Sequence, residues 1–450
     1  MVSLAERMAS NMDFAAFSKA DELKKRLWFT VFALIVFRLG TFIPLPGIDP
    51  NVLSDIFARN SGGILGMFNM FAGGALERMT IFALNIMPYI SASIIIQLGQ
   101  SVIPSLAALK KEGEAGHRKI TQMTRYLTVL ITIVQGYGIA VGLQSMTGSA
   151  GISAVVNPGF GFIFTTVVSL VGGTMFIVWL GEQITSRGVG NGSSLIITVG
   201  IIANIPSALA QTFELGRVGS MSLGVIALLM IMVLLLIYVI VLVERAQRKI
   251  TIQYPKRQVG MRMTAAESSH LPLKINPTGV IPPIFASSLL LLPITIANLS
   301  AENGPAWVQT LSQLLGHGQP LYLGLYAFLI AFFAFFYTAV VFNPEDTADN
   351  LKKHGGFIAG IRPGKNTAEY LDYVITRLTV LGAFYLVALC ILPEILISKL
   401  SVPFVLGGTT LLIVVQVTMD FVGQLQSHLI AYQYEGLIKK AALANKGKRR

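Results

Sequence analysis

The run 222–243, SLGVIALLMIMVLLLIYVIVLV, contains no charged residue, and it constrains the chain more than any other feature. A helix needs about 20 mostly apolar residues to cross a hydrocarbon core of about 30 Å. Nine further runs are read as spans, at 28–45, 76–99, 121–143, 160–180, 193–211, 276–297, 321–341, 373–393 and 402–423. The run 193–211 is the most polar, with Ser193, Ser194, Asn204 and Pro206. The expected fold class is therefore an all-α membrane protein with ten transmembrane helices. Composition agrees, since only 12% of the residues are charged and 53% are apolar, against about 25% charged in an ordinary soluble domain.

Lysine and arginine set the orientation of such a chain. Of the 34 basic residues, 28 fall in the segment 1–27 and in the loops or tail at 100–125, 181–192, 244–275, 342–372 and 424–450. The intervening loops hold Arg59, Arg217 and Lys399, while Arg38, Arg78 and Arg377 lie in spans or at their ends. The split places both termini, 1–27 and 424–450, in the cytoplasm. Segment 1–27 has no short apolar core before a small-residue cleavage site, so the first span is expected to be retained as its own insertion signal.

Ten spans divide into halves of five, 28–216 and 217–423. Because five is odd, the second half is expected to be inverted relative to the first, an arrangement common in transporters and channels with the working path between the halves. No sequence repeat supports this, so it is an inference from architecture. After the first span comes SGGILGMFNMFAGGA, residues 61–75. Its apolar part, 64–72, would reach only about 14 Å as a helix, too short to span. Two readings stay open: a re-entrant helix on glycine hinges filling a cavity, or an interfacial helix on the outer leaflet. Irregular backbone at membrane depth belongs inside protein or beside water.

The single cysteine, Cys390, lies in an apolar run and excludes an internal disulfide. The five histidines are read as lying in loops or the tail, which argues against an intramembrane Ser–His protease. No HExxH or CxxC occurs, and GIRPGKN at 360–366 is one residue short of a phosphate loop and ends in Asn366. No enzyme activity, metal or cofactor is expected. The spans are read as almost free of carboxylates, with Asp420 and Glu77 near ends and Arg38 as the internal charge. That disfavours an ion-coupled secondary transporter for a small solute, the alternative function. Loops 244–275 and 342–372 each run about 30 residues, beyond the 2–8 of ordinary helix connections. The alternation at 248–254 predicts a hairpin before Pro255, and the two cationic loops look like a docking surface.

Several strings resemble the SecY family, the central subunits of the bacterial protein translocation channel: FNMFAGGALERMTIFALNIMPYISASIIIQL, WLGEQIT-RGVGNG, VERAQRKI, HLPLKINPTGVIPPIFASS, FNPEDTADNLKK, GIRPG and QYEGLIKKA. The resemblance spans about residues 20–440. It implies a clam-shell of two inverted five-helix halves around a central pore, passing unfolded secretory proteins and releasing membrane segments laterally at the bacterial inner membrane. It implies as partners SecE and SecG, the SecA motor ATPase, the translating ribosome, secretory and membrane protein substrates, and membrane lipid.

By the same resemblance residues 62–74 are a re-entrant plug helix, with Gly63, Ile64, Leu65, Gly66, Met67, Phe68, Asn69, Met70 and Phe71 at its centre. The aliphatic pore ring falls on Ile86, Ile90, Ile197, Ile284 and Ile413, with Ser193 at a sixth, usually aliphatic place, where Leu195 is a candidate to compensate. Ile86 and Ile90 are expected to share a helix face. An apolar constriction resists ions by dewetting. Ser91 and Leu292 match lateral-gate positions, and Arg257, Arg262 and Arg362 match motor and ribosome docking positions.

Overall fold

A computed structural model describes residues 21–49, 52–53, 69, 72–145, 153–219, 222–254, 258–259, 262–263, 267–299, 319–400 and 407–447; side chains at 110–111, 145, 215, 258–259, 262–263, 267, 291–299, 397–400 and 433–447 lie outside the description. The helices are α1 (Asp21–Gly40), α2 (Met87–Val102), α3 (Pro104–Lys111), α4 (Glu114–Ser145), α5 (Phe160–Arg187), α6 (Gly192–Arg217), α7 (Leu223–Arg245), α8 (Ile281–Leu299), α9 (Pro320–Val341), α10 (Pro344–Lys353), α11 (Lys365–Leu400) and α12 (Gly408–Gly447). The strands are β1 (Gln247–Tyr254), β2 (Gln258–Val259), β3 (Arg262–Met263), β4 (Glu267–Lys274) and β5 (Phe357–Ile358).

Each of the ten expected spans contains helix. Among the described residues, seven helices are long and apolar enough to cross a membrane: α4, α5, α6, α7, α9, α11 and α12. On α7 only Ile226, Leu229, Ile240 and Glu244 are buried, while Leu228, Ile231, Leu234, Leu235, Tyr238 and Leu242 are exposed. So large an apolar face marks a surface that meets lipid or another apolar partner.

Two expected spans are revised. The first helix ends at Gly40, and 43–48 continues as non-helical chain with a turn at 46–47: Leu45 N–H donates to Met79 O (2.9 Å), Ile81 N–H to Ile43 O (3.1 Å), and Pro44 bridges Thr80. The second run is helical only from Met87; 72–86 is a chain of turns and one bridge. Met79 (φ 44°) and Asn85 (φ 49°) have left-handed backbone, which breaks a right-handed helix at both places. The Asn85 side-chain oxygen accepts the Ile86 N–H at 2.8 Å.

The chain forms two compact units. One comprises Met1–Tyr89, Tyr126–Pro206 and Val417–Arg450. A row of rings runs from its core to its surface, with buried Phe82 stacked 6.0 Å from both buried Phe37 and exposed Phe176, and Phe176 tilted against Trp179. The α5–α6 turn is held by side chains from distant sequence. Thr30 Oγ1 accepts Val189 N–H (3.0 Å), Gln424 Oε1 accepts Gly190 N–H (2.9 Å), and Thr185 Oγ1 accepts Gly192 N–H (2.9 Å). Leu23 and Val189 are buried there with Phe421, Leu425 and Leu429 around them. This gives the string RGVGNG a structural role: an irregular turn in which the N–H groups of Gly188, Val189, Gly190 and Gly192 are all met by protein.

The other unit comprises Ile90–Arg125 and Ser207–Gln416. Its loops 244–275 and 342–372 fold into a sheet ordered β4-β1-β5 with a separate two-stranded hairpin β2-β3. β1 and β4 run antiparallel from Gln247↔Lys274 to Tyr254↔Glu267, and β5 adds through Ile252↔Ile358. Period-2 alternation puts Ile250 and Ile252 on one face; Ile250 joins Leu273 and Ile358 over Leu371, Val374, Ile375 and Leu378 of α11. The alternation at 248–254 is thus a strand, and loop 342–372 contributes a third strand that the sequence did not suggest. α10 follows from NPED: Asn343 accepts the Glu345 N–H at 3.1 Å and donates to Asp346 at 2.8 Å, with acids at the helix N-terminus as its dipole favours.

Candidate functional site

The segment between α1 and α2 is built for burial. Ala72, Ala75, Met79, Phe82, Ala83 and Ile86 are all buried, Ile86 completely. Its glycine turn is anchored by a charge: Arg38 Nη1 donates to Gly73 O at 2.8 Å, and the guanidinium lies 5.0 Å from the Phe42 ring, which Arg78 also approaches at 4.4 Å. Arg38 therefore binds locally instead of facing lipid. Gly73 has φ +69°, and a Cβ there would sit 3.0 Å from Gly200 Cα, so both backbone hand and space require glycine. Asn69 closes the turn from the other side. Its Nδ2 donates to Glu77 Oε2 (2.9 Å), its Oδ1 accepts Glu77 N–H (2.9 Å), and its carbonyl accepts Gly74 N–H (2.8 Å). Gly63, Ile64, Leu65, Gly66, Met67, Phe68, Met70 and Phe71 lie outside the described residues.

The ring candidates fall in both units. Ile86, Ser193 and Ile197 belong to the first, and Ile90, Ile284 and Ile413 to the second. Ile86 precedes α2 by one residue, so it does not share a helix face with Ile90 as expected; the left-handed Asn85 starts the helix late. Ile90, Ile197 and Ile413 are buried, while Ser193 and Ile284 are half-buried. Leu195 is 9% exposed and Ser193 N–H donates to the Asn191 side chain at 3.1 Å, so Ser193 sits in the capped first turn of α6. Ser91 is buried on α2. Leu292 lies on α8 with its side chain outside the description, as does that of Arg262 on β3, and Arg257 is outside the described residues.

Arg362 is exposed at an open cleft of about 570 Å³, lined also with Asn366, Glu369, Tyr370 and Tyr373; its carbonyl accepts the Thr367 hydroxyl at 3.0 Å. Sequence reasoning missed two buried carboxylates. Glu244 is 3% and Glu394 7% exposed, because α7 and α11 extend past the apolar runs that defined the spans. Glu244 lies within VERAQRKI, so the string itself carried the signal. Of the histidines, His117 and His428 are helical and His270 is on β4, while His317 lies outside the described residues. Among the described residues no group of histidine, cysteine and carboxylate side chains could hold a metal.

A multi-pass helical protein with an irregular buried segment between its first helices and a small sheet in its long loops has the fold of protein-conducting channels. The solved structure described as a protein conducting channel superposes with a TM-score of 0.64 over 90% of this chain and 92% of that one, at 17% identity. Sec61 in the canine ribosome-channel complex from the endoplasmic reticulum gives 0.62 at 16% identity, over 90% and 92%. The SecY family model matches residues 80–422. The protein translocase subunit SecY of Escherichia coli K12 is 56% identical over 428 residues, 95% of this chain and 96% of that one; that of Rickettsia typhi is 54% identical over 431 residues, 95% and 99%. The chain belongs to the SecY family. It is a protein-conducting channel subunit of the inner membrane.

Proposed function

We propose that the chain passes unfolded secretory proteins across the bacterial inner membrane and releases membrane segments laterally into it. In this reading ten transmembrane helices form two inverted halves, 28–216 and 217–423, around a central pore, with 1–27 and 424–450 cytoplasmic. Residues 62–74 are the plug, Ile86, Ile90, Ser193, Ile197, Ile284 and Ile413 the ring, and Ser91 and Leu292 part of the lateral gate. Loops 244–275 and 342–372, with Arg257, Arg262 and Arg362, dock the SecA motor and the translating ribosome, while SecE, SecG and lipid surround the helices. The fold is shared with a Sec61 determined in a ribosome-channel complex, which supports the ribosome as a partner.

The observation that carries this reading is the segment 72–86. Apart from the exposed Glu77 and Arg78 it is mostly apolar yet non-helical, and most of its residues are buried within protein. A lipid-facing stretch would be helical, because unsatisfied backbone is intolerable in hydrocarbon. Backbone of this kind fits the wall of a path, and it leads directly to Ile86. An aliphatic ring would hold back ions while offering no polar group to trap a passing chain. The test is cross-linking of a stalled secretory chain to a photoprobe at Ile284 in the assembled complex. The expected result is a cross-link only while the chain is engaged; its absence in a translocation-competent complex removes the channel path from α8.

A further inference from the structure

Glu244 opens the loop 244–275 but is none of the residues assigned to ring, plug or docking, and it is a carboxylate buried to 3% exposure at the end of α7. Such burial costs several kcal/mol unless the charge is met by hydrogen bonds. Asn276 Nδ2 donates to Glu244 Oε1 at 2.7 Å and also to Gly279 O at 3.1 Å. The Asn276 side-chain oxygen accepts the Thr278 hydroxyl at 2.9 Å. Asn276 and Thr278 are 2% and 3% exposed. The network stands at a junction of elements. Just before it, β4 ends at Lys274 and Ile275 N–H donates to Ala246 O at 3.2 Å. Just after it, α8 begins at Ile281, and Ile284 N–H donates to Val280 O. Behind it α11 passes so closely that a Cβ on Gly382 would sit 3.0 Å from Ile275 O.

The sheet and α8 are therefore joined without slack: a short connector, pinned by a buried side chain with three hydrogen bonds, separates a cytoplasmic strand from a helix of the path. We propose that Glu244, Asn276 and Thr278 are positioning residues for channel opening, forming a joint that passes a load on the cytoplasmic sheet to α8 and Ile284. This rests on the docking reading above.

The test uses the full complex in inner-membrane vesicles and separates the half-saturating motor concentration from the maximal export rate. Asn276→Asp sets two carboxylates against each other, and the loss of a hydrogen bond to a charged group predicts a maximal rate about tenfold lower with the half-saturating motor concentration unchanged. Glu244→Gln in the Asn276→Asp background restores a donor–acceptor pair and should recover the rate to within about twofold, the non-additivity expected of contacting residues. Thr278→Ala, which loses one bond, gives a milder version of the same split if Asn276→Asp does not accumulate. An unchanged rate, a parallel loss of motor binding, or failure of the rescue overturns the joint. Arg362→Glu run alongside should raise the half-saturating motor concentration. If it does not while the Asn276 split persists, the docking reading fails and the load-bearing role of the joint falls with it; a positive Arg362 result with no Asn276 split overturns the joint alone.

Discussion

Gly173 offers the sharpest test of how the first unit is packed. It lies within α5, and a Cβ built on it would overlap the carbonyl oxygen of Ile81 and sit 2.9 Å from Ile81 C. Ordinary carbon–carbon contacts begin at about 3.5 Å, so the two backbones must part by at least about 0.6 Å. No rotamer relieves this, because the obstacle is main chain. Ile81 is tied to Ile43 by its N–H, and Phe82 is held between Phe37 and Phe176, so the segment resists displacement. Overpacking of this kind costs about 1–3 kcal/mol. Alanine also gains about 1 kcal/mol over glycine in helix propensity, which would blur a measurement on Gly173→Ala alone. The neighbouring Gly172 supplies the control, since a Cβ there meets nothing within 4 Å. The propensity gain is common to both variants, so their difference isolates the packing cost: about 1–3 kcal/mol, or roughly 5- to 150-fold. Unfolding of such a protein is irreversible in practice, so the assay is the half-life of monodisperse protein in detergent during heating. Gly172→Ala should match or outlast the parent, and Gly173→Ala should decay several-fold faster. Equal half-lives for the two variants would refute the close approach of α5 to Ile81.

Deleting 62–72 should raise resting ion conductance in planar bilayers; unchanged conductance counts against the plug. Arg362→Glu reverses an exposed charge on the proposed docking face and should cut motor-driven export about tenfold at limiting motor, as a desolvated charge contact would; normal rates sink its role. Phe82→Ala removes the middle ring of the Phe37–Phe82–Phe176 row and should destabilise the first unit by about 3–5 kcal/mol, seen as loss of folded protein on solubilisation, whereas an exposed ring such as Phe328→Ala should leave the yield unchanged.

Helix positions were legible because hydropathy reports directly on long apolar runs. Residues 76–85 misled it for a physical reason. They are apolar because they are buried inside protein, and hydropathy cannot tell that burial from contact with lipid. The left-handed backbone at Met79 and Asn85 that stops a helix there leaves no trace in composition. Glu244 and Glu394 were overlooked because the spans were drawn to end where charge begins, while the helices run on. The hairpin at 248–254 was readable from alternation, but β5 has only two residues, too few to show a period. Its place is dictated by Ile252 and Ile358 meeting across more than a hundred residues of sequence. Ring, gate and docking assignments came from strings that resemble a family, since an isoleucine in a span has no local mark of its use.

The pairing of β5 with β1 also sets a timetable. Ile252 finds Ile358 only after residue 358 has been made, with the intervening α8 and α9 already synthesised. A half-synthesised chain presents β1 and β4 alone, with one edge bare and the α11 face of Ile250 uncovered. The sheet thus completes itself late, so a nascent chain acquires it in full only once most of its membrane helices exist.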